Sequence, residues 1–360
     1  MLRGQTHDFG CECRVQFDQD RTFHPDLTAI LSGSITEIGG NGQIKLGALK
    51  QPVFAPDHKG AFKSLLDALA AQGHPASGLT AAAHRIVHGG ASLTAPARLT
   101  PDIITRIESY NDLAPLHNPH NLSAIRALQV LVPDLPQYAS FDTAFHAGNP
   151  ALATTFAIPQ AERDKGIRRY GFHGLSYASL VENLRPNLPR RLLALHLGNG
   201  ASLCAILDGK SVANSMGYSP LDGLVMGTRP GAIDGMAVLR MAQDHGIDAA
   251  TDLLNKHSGL KGLAGTNDMA TLLSTDSDQA RFAVEHFCYW AARQAGSAIV
   301  AMGGVDAVAF TGGIGENAAP IRDRIMAHLA FLGDLPVHIV KADEERQIAR
   351  DAIGVMQAAH

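Results

Sequence analysis

What the chain lacks narrows its role before any motif is read. Cysteine is scarce: Cys11, Cys13, Cys204 and Cys288 form no disulfide framework, and the Cys11/Cys13 pair has no second Cys/His pair at zinc spacing. Reduced thiols in the cytosol are therefore expected. No N-terminal apolar run reaches signal-peptide length, and none approaches the roughly 20 residues that span a bilayer. These absences predict a cytoplasmic protein with no membrane partner. Positive charge is not gathered into blocks either: 30 Lys and Arg against 34 Asp and Glu leave a net charge of −4, which turns the expectation away from nucleic acid and towards small ligands. Low-complexity segments and short-period repeats are also missing. The glycine pairs at Gly198 and Gly313 do not complete a G-x-G-x-x-G with an acidic residue about 20 positions on, which sets a dinucleotide-dependent oxidoreductase aside.

What is present is a globular composition. Of 360 residues, 46% are apolar and 18% charged, enough for two cores and a cleft between them. Short apolar runs, glycine-rich turns and helical patterns recur in both halves, which predicts α/β architecture. Ile30 to Ile38 and Ala83 to His88 read as strands, and Phe62, Leu65, Leu66 and Leu69 mark one face of a helix. Leu192 to Leu197 reads as a buried strand, Gly198-Asn199-Gly200 as a turn, and Ser202 to Leu207 as a strand ending at the Asp208-Gly209 turn. Val284, Phe287, Ala291, Ala295 and Ala298 recur at helical spacing. Ala307 to Thr311 predicts another strand, Gly312 to Gly315 a tight turn, and Ile321, Ile325 and Leu329 a helix with Pro320 in its first turn.

Several segments carry the residue types that phosphoryl transfer needs: cationic donors, a metal-holding carboxylate and backbone N–H groups around phosphate. Thr311 to Asn317, TGGIGEN, is a strand-to-helix turn whose glycines admit a ligand, or a plain βα connection. Arg85 within AHRIVHGG and Arg229 within MGTRPG could clamp carboxylate and phosphoryl groups through planar forks, although a lone loop arginine is more often a solvated charge. Asp142 in FDTAFH suits Mg²⁺ or the acceptor, or a helix N-cap. His173 in YGFHG suits donation to a transferring oxygen, or a structural role. Asp343-Glu344-Glu345 could complete a metal site or compensate a helix dipole.

In this order the segments HRIVHGG, APLHNPHNL, FDTAFH, RRYGFHGLSY, LHLGNGAS, SMGYSPLDGLVMGTRPG, FTGGIGEN and DEERQIARDA closely resemble the acetate kinase family, from about residue 30 onward. The resemblance implies two related ribonuclease-H-like, actin-like ATPase domains around a central cleft: 1–145, completed by a C-terminal helix over 346–360, and 146–345. It also implies a homodimer that binds acetate, ATP or ADP, and acetyl phosphate, with Mg²⁺ as the metal and Mn²⁺ as its substitute. Matched residue by residue, Arg85 and Arg229 would stabilise the in-line transition state, and His173 would hydrogen-bond the phosphoryl oxygens. His117 would lie near the transferred group, and Asn199 with Gly200 would hold phosphate. Asp142 and Glu344 would arrange the metal and acceptor. Asp268, Met269, Gly313, Ile314, Gly315 and Asn317 would line the nucleotide site, while Val87, Leu116, Phe172 and Pro220 would receive the acetate methyl. Valine at position 87 leaves less room than alanine, which favours acetate over propionate.

One departure is large. The family's opening strand and N-x-G-S-S-S-x-K phosphate hairpin have no counterpart in MLRGQTHDFGCECR, which contains no asparagine. A shifted reading frame, a mis-assigned start and a degenerate copy are the explanations this suggests, and a catalytically impaired nucleotide-binding homologue is the alternative reading, beside a propionate kinase. Ala232 and Ala270 are smaller departures, the second standing where an arginine often packs on adenine.

Overall fold

The computed structural model describes Leu27, 33–115 and 117–358. The atypical stretch Met1 to Arg14, the start of the strand expected from Ile30, and Leu116 lie outside the described residues. The chain forms two compact α/β units. Among the described residues, the first holds those up to Gly89, then Ala95–Phe141 and the segment from Glu344, and the second holds Gly90–Thr94 and Asp142–Asp343.

In the first unit, β1 (Gly33–Thr36), β2 (Gly40–Leu46) and β3 (Leu49–Ala55) form an antiparallel meander. Strand alternation puts Ile44 and Leu46 on one face, with Ile35 directly paired to Ile44. These are buried with Phe62, Leu65 and Leu69 of the helix His58–Ala71, the face that the helical spacing predicts. Asp57 caps that helix, accepting from the Gly60 N–H at 2.7 Å.

A second sheet, ordered β4-β6-β5, contains β4 (Ala82–Ile86), β5 (Ala97–Arg98) and β6 (Gln137–Phe141), with β4 and β6 parallel. The helix Glu344–Ala358 packs on all three of its strands. β4 stops at Ile86, two residues before the expected end. Beyond it, side chains of the helix Asn118–Leu131 take over the backbone: the Val87 N–H donates to Asn121 Oδ1 at 3.3 Å, and Asn118 both accepts from the His88 N–H at 3.2 Å and donates to the His88 carbonyl at 3.0 Å.

The second unit is built on a five-stranded sheet ordered β11-β10-β7-β8-β9. β7 (Arg191–Leu197), β8 (Ala201–Leu207) and β9 (Lys210–Asn214) form the antiparallel meander expected from the sequence. β10 (Ala307–Thr311) lies parallel to β7 on one side and β11 (Val337–Ile339) on the other. Asp208 and Gly209, both at positive φ, make the β8–β9 turn. Leu192 and Ala194 pack with Tyr177 and Leu180 of the helix Gly174–Leu184, and the helix Asp278–Met302 also packs on β7, β8 and β9. Helices against the sheet explain why Leu192 to Leu195 are all fully buried, a continuous apolar run rather than an alternating one.

The segment after β10 corrects the sequence reading. Gly312 to Gly315 is not a free turn; it opens a short helix, Gly312–Asn317, which breaks at Ala318 before the helix Ala319–His328 that carries Pro320 in its first turn. Gly312 adopts φ +78°, and a Cβ there would stand 2.8 Å from the Leu197 carbonyl oxygen, so only glycine fits. Glu316 folds back to accept the Gly312 N–H at 3.0 Å and also accepts the Ala342 N–H at 2.8 Å. That carboxylate turns the glycine run into helix. Among the described residues, no helix is long and apolar enough to cross a membrane.

Candidate active site

The best-defined chemistry lies in the second unit, at the β7–β8 turn. His196 on β7 and Ser202 on β8 are direct cross-strand partners, three residues either side of Asn199. They share a face with Leu192 and Ala194, so both look towards the helix Gly174–Leu184. His173 stands at the start of that helix in the left-handed region, φ 58° and ψ 25°. Such a conformation costs a non-glycine residue on the order of 1–3 kcal/mol and must be imposed by its surroundings. The Gly174 N–H donates to the Asp142 carbonyl at 2.9 Å, and a Cβ on Gly174 would stand 2.2 Å from that oxygen. Buried Asp142 thus supports the histidine through its backbone.

His173 Nδ1 lies 2.8 Å from Ser202 Oγ, which lies 2.6 Å from the Tyr177 hydroxyl. Its ring stacks on His196 with centroids 4.2 Å apart, and His196 Nδ1 is 2.8 Å from Ser176 Oγ. With Nδ1 held, Nε2 is directed to the turn. The position that a Cβ on Gly200 would occupy is 3.2 Å from His173 Nε2 and 2.9 Å from Arg229 Nη2. The Arg229 guanidinium and the outer nitrogen of His173 therefore converge over Gly200.

Arg229 is held in place by its own loop. Its Nη1 donates to the Pro220 carbonyl at 2.6 Å, the Gly227 N–H donates to the Asn199 carbonyl at 2.9 Å, and the Ser258 N–H donates to the Thr228 carbonyl at 3.0 Å. Burial pushes the guanidinium down to about 10, which leaves it cationic at neutral pH. Asn199 Oδ1 accepts from Asn267 Nδ2 at 3.1 Å. On the other side of the turn, the Gly313 N–H lies 4.0 Å from where a Gly198 Cβ would stand.

Of the remaining predicted nucleotide residues, Ile314, Gly315 and Asn317 sit on the short helix after β10, with Asn317 Nδ2 donating to the Gly313 carbonyl at 2.8 Å. Asp268 caps the helix Met269–Ser274, its oxygens bonded to the Thr271 hydroxyl and N–H and to the Ala270 N–H; the Thr271 bonds foremost hold its carboxyl below the usual range. Met269 beside it is buried.

Within the first unit, Arg85 on β4 points a half-exposed guanidinium towards Glu344, with Nη1 3.9 Å from Oε2. Val87 follows β4 and is buried, and His117 precedes the helix Asn118–Leu131. Glu344 and Glu345 occupy the first turn of the C-terminal helix, a favourable place for negative charge. Among the described residues no group of three or more His, Cys, Asp and Glu forms a metal cage.

Phe172, the predicted apolar contact next to His173, is anchored by an interior group. Buried His146 donates from Nε2 to the Phe172 carbonyl at 3.0 Å and accepts at Nδ1 from Ser211 at 2.8 Å. Burial pushes its imidazole down to about 4 from 6.5. Between those values the unfolded chain binds a proton that the folded chain refuses, so stability must fall as pH drops from about 6.5 to 4, by up to roughly 3 kcal/mol from this residue. Urea midpoints measured at pH 7 and pH 5 should differ in the wild type, and by less in His146→Gln, whose amide does not titrate. Equal pH dependence in both proteins would remove His146 as the cause.

Sequence reasoning missed His196, Ser202, Tyr177, Asn118 and Glu316. A usable signal existed for two of them, because hairpin alternation about Asn199 places His196 and Ser202 on one face. The others act through contacts that no spacing encodes.

A model of the acetokinase family matches residues 30–355. An acetate kinase of Rhodopseudomonas palustris is 42% identical over 329 residues, covering 86% of this chain and 82% of its own. Among solved structures, a propionate kinase from Francisella tularensis superposes with a TM-score of 0.86 at 34% identity, over 90% of this chain and 92% of that one. Porphyromonas gingivalis acetate kinase also superposes at 0.86, with 28% identity over 96% and 98%. The fold class is thus that of the two-domain, actin-like acetate and propionate kinases.

Proposed function

The chain belongs to the acetokinase family, and from that premise we propose that it moves a phosphoryl group reversibly from ATP to acetate, giving acetyl phosphate and ADP by direct in-line transfer. The observation that carries the reading is the convergence of His173 Nε2 and Arg229 Nη2 over Gly200. Both present N–H donors to one point, which is what a transferring phosphoryl oxygen requires. An acetate oxygen attacks the terminal phosphorus while the bond to the ADP oxygen breaks. His173 and Arg229 stabilise the equatorial charge, Asn199 and Gly200 hold phosphate, and the family resemblance adds Arg85 and His117 to the residues that act on the transferred group. Asp268, Met269, Gly313, Ile314, Gly315 and Asn317 take the nucleotide.

Mg²⁺, with Mn²⁺ as substitute, belongs to the same reading. On the family resemblance Asp142 and Glu344 are the carboxylates that would serve it, hard oxygen donors of the kind Mg²⁺ takes. When bound it supplies charge neutralisation on the nucleotide phosphates. A cytoplasmic homodimer, and the division into domains 1–145 with 346–360 and 146–345, complete the proposal on the strength of the family resemblance.

The acceptor decides between two readings, since a propionate kinase is among the similar structures. On the family resemblance Val87, Phe172 and Pro220 are proposed to favour a methyl group over a longer chain, and one extra methylene is worth about 1–3 kcal/mol. Steady-state assays of the purified chain with ATP and Mg²⁺ should give a kcat/KM for acetate about 10–200-fold above that for propionate. A ratio at or below one would establish the propionate reading. Retained ADP binding with no acyl phosphate from either acid would establish the impaired homologue.

A further inference from the structure

The hydroxyl chain beneath His173 has no role in the reaction as proposed so far. Ser202 and Tyr177 are fully buried, and neither reaches the turn where Arg229 and His173 converge. Their geometry instead dictates which nitrogen of His173 carries a proton. A phenol is the stronger donor of the two hydroxyls, and the 2.6 Å separation fits Tyr177 donating to Ser202 Oγ. The single proton of Ser202 is then directed at His173 Nδ1, 2.8 Å away, which must accept. An imidazole accepting at Nδ1 carries its proton on Nε2, the atom aimed at the point above Gly200. The His196 ring stacked at 4.2 Å and the Arg229 guanidinium facing the same point disfavour a second positive charge here, so tautomer choice supplies the proton.

We propose that Ser202 and Tyr177 are positioning residues that lock His173 in its Nε2–H tautomer and so present a donor, rather than a lone pair, to the transferring phosphoryl oxygen. The reverse tautomer would turn a lone pair towards that oxygen. The chain of hydroxyls thus matters in the transition state more than in binding either substrate. Its effect on rate rests on the proposed phosphoryl transfer; its effect on the tautomer does not.

The test uses the full chain labelled with ¹⁵N-imidazole, the His173 signals being assigned by their loss in His173→Gln. Long-range ¹H–¹⁵N correlation spectra at neutral pH should show His173 as the Nε2–H form in the wild type and as a mixture in Ser202→Ala. In the same variant kcat should fall about 10–100-fold with KM for acetate changed less than about threefold, the pattern of a lost transition-state contact. Ser202→Ala takes a hydrogen-bond partner from the buried Tyr177 hydroxyl and could destabilise the protein for that reason alone. The double variant Ser202→Ala/Tyr177→Phe removes that hydroxyl as well and should show the same tautomer mixture and the same kcat loss with a cooperative melting transition. A wild-type His173 in its Nδ1–H or doubly protonated form would overturn the proposal, as would an unchanged tautomer in the double variant. If the tautomer shifts as expected but the wild type transfers no phosphoryl group, the positioning role stands and the functional reading fails.

Discussion

Arg229→Ala is expected to lower kcat/KM for acetyl phosphate formation by about 10²–10³, some 2.7–4 kcal/mol of transition-state stabilisation. The magnitude follows from where the guanidinium sits. One nitrogen is fixed on the Pro220 carbonyl at 2.6 Å, and the other faces the open point above Gly200. The group is therefore preorganised and needs no rearrangement when charge develops on the phosphoryl oxygens. Arg229→Lys should restore less than about a tenth of the lost activity, because an ammonium cannot bond Pro220 and the anion through one rigid fork. Steady-state kinetics of both variants beside the wild type check this, and wild-type activity in the alanine variant would remove Arg229 from the site.

Gly200→Ala should cost about 100-fold in kcat/KM while leaving the fold intact. The added methyl group would stand 2.9 Å from Arg229 Nη2 and 3.2 Å from His173 Nε2, on the spot where both donors converge. Gly200 is not among the glycines at positive φ, so alanine meets no backbone strain. Stability should fall modestly, because the ends of the Arg229 and His173 side chains must give way to the methyl group. A variant that still melts cooperatively above the assay temperature yet has lost its activity locates the phosphoryl subsite at the β7–β8 turn. Unimpaired kcat/KM would place it elsewhere.

Both predictions use residues that the sequence already singled out, but the reason each matters lay beyond it. Arg229 reads as a loop arginine bounded by glycines, and nothing in that spacing distinguishes a clamp from a solvated charge. The difference is the carbonyl of Pro220, nine positions away, and the turn carrying Asn199, thirty positions away. Gly200 reads as a turn residue, and its importance comes from two side chains that arrive from other elements. His173 reads as a histidine between glycines, and its orientation is set by Ser202 and Tyr177. Where sequence reading erred, a distant group had intervened. Gly312 to Gly315 became helix because Glu316 caps Gly312, and β4 ended early because Asn118 and Asn121 took its backbone partners.

By itself, then, the sequence determined the α/β class, the β7–β8–β9 meander, the helix faces and the family, because these depend on periodicity, turn chemistry and motifs read over short distances. Tertiary structure alone decided which nitrogen of His173 faces the turn, what steadies Arg229 and why position 200 must be open. Those properties are distances between residues far apart in the chain, and a hydrogen-bonding side chain has no direction until the fold supplies its partner.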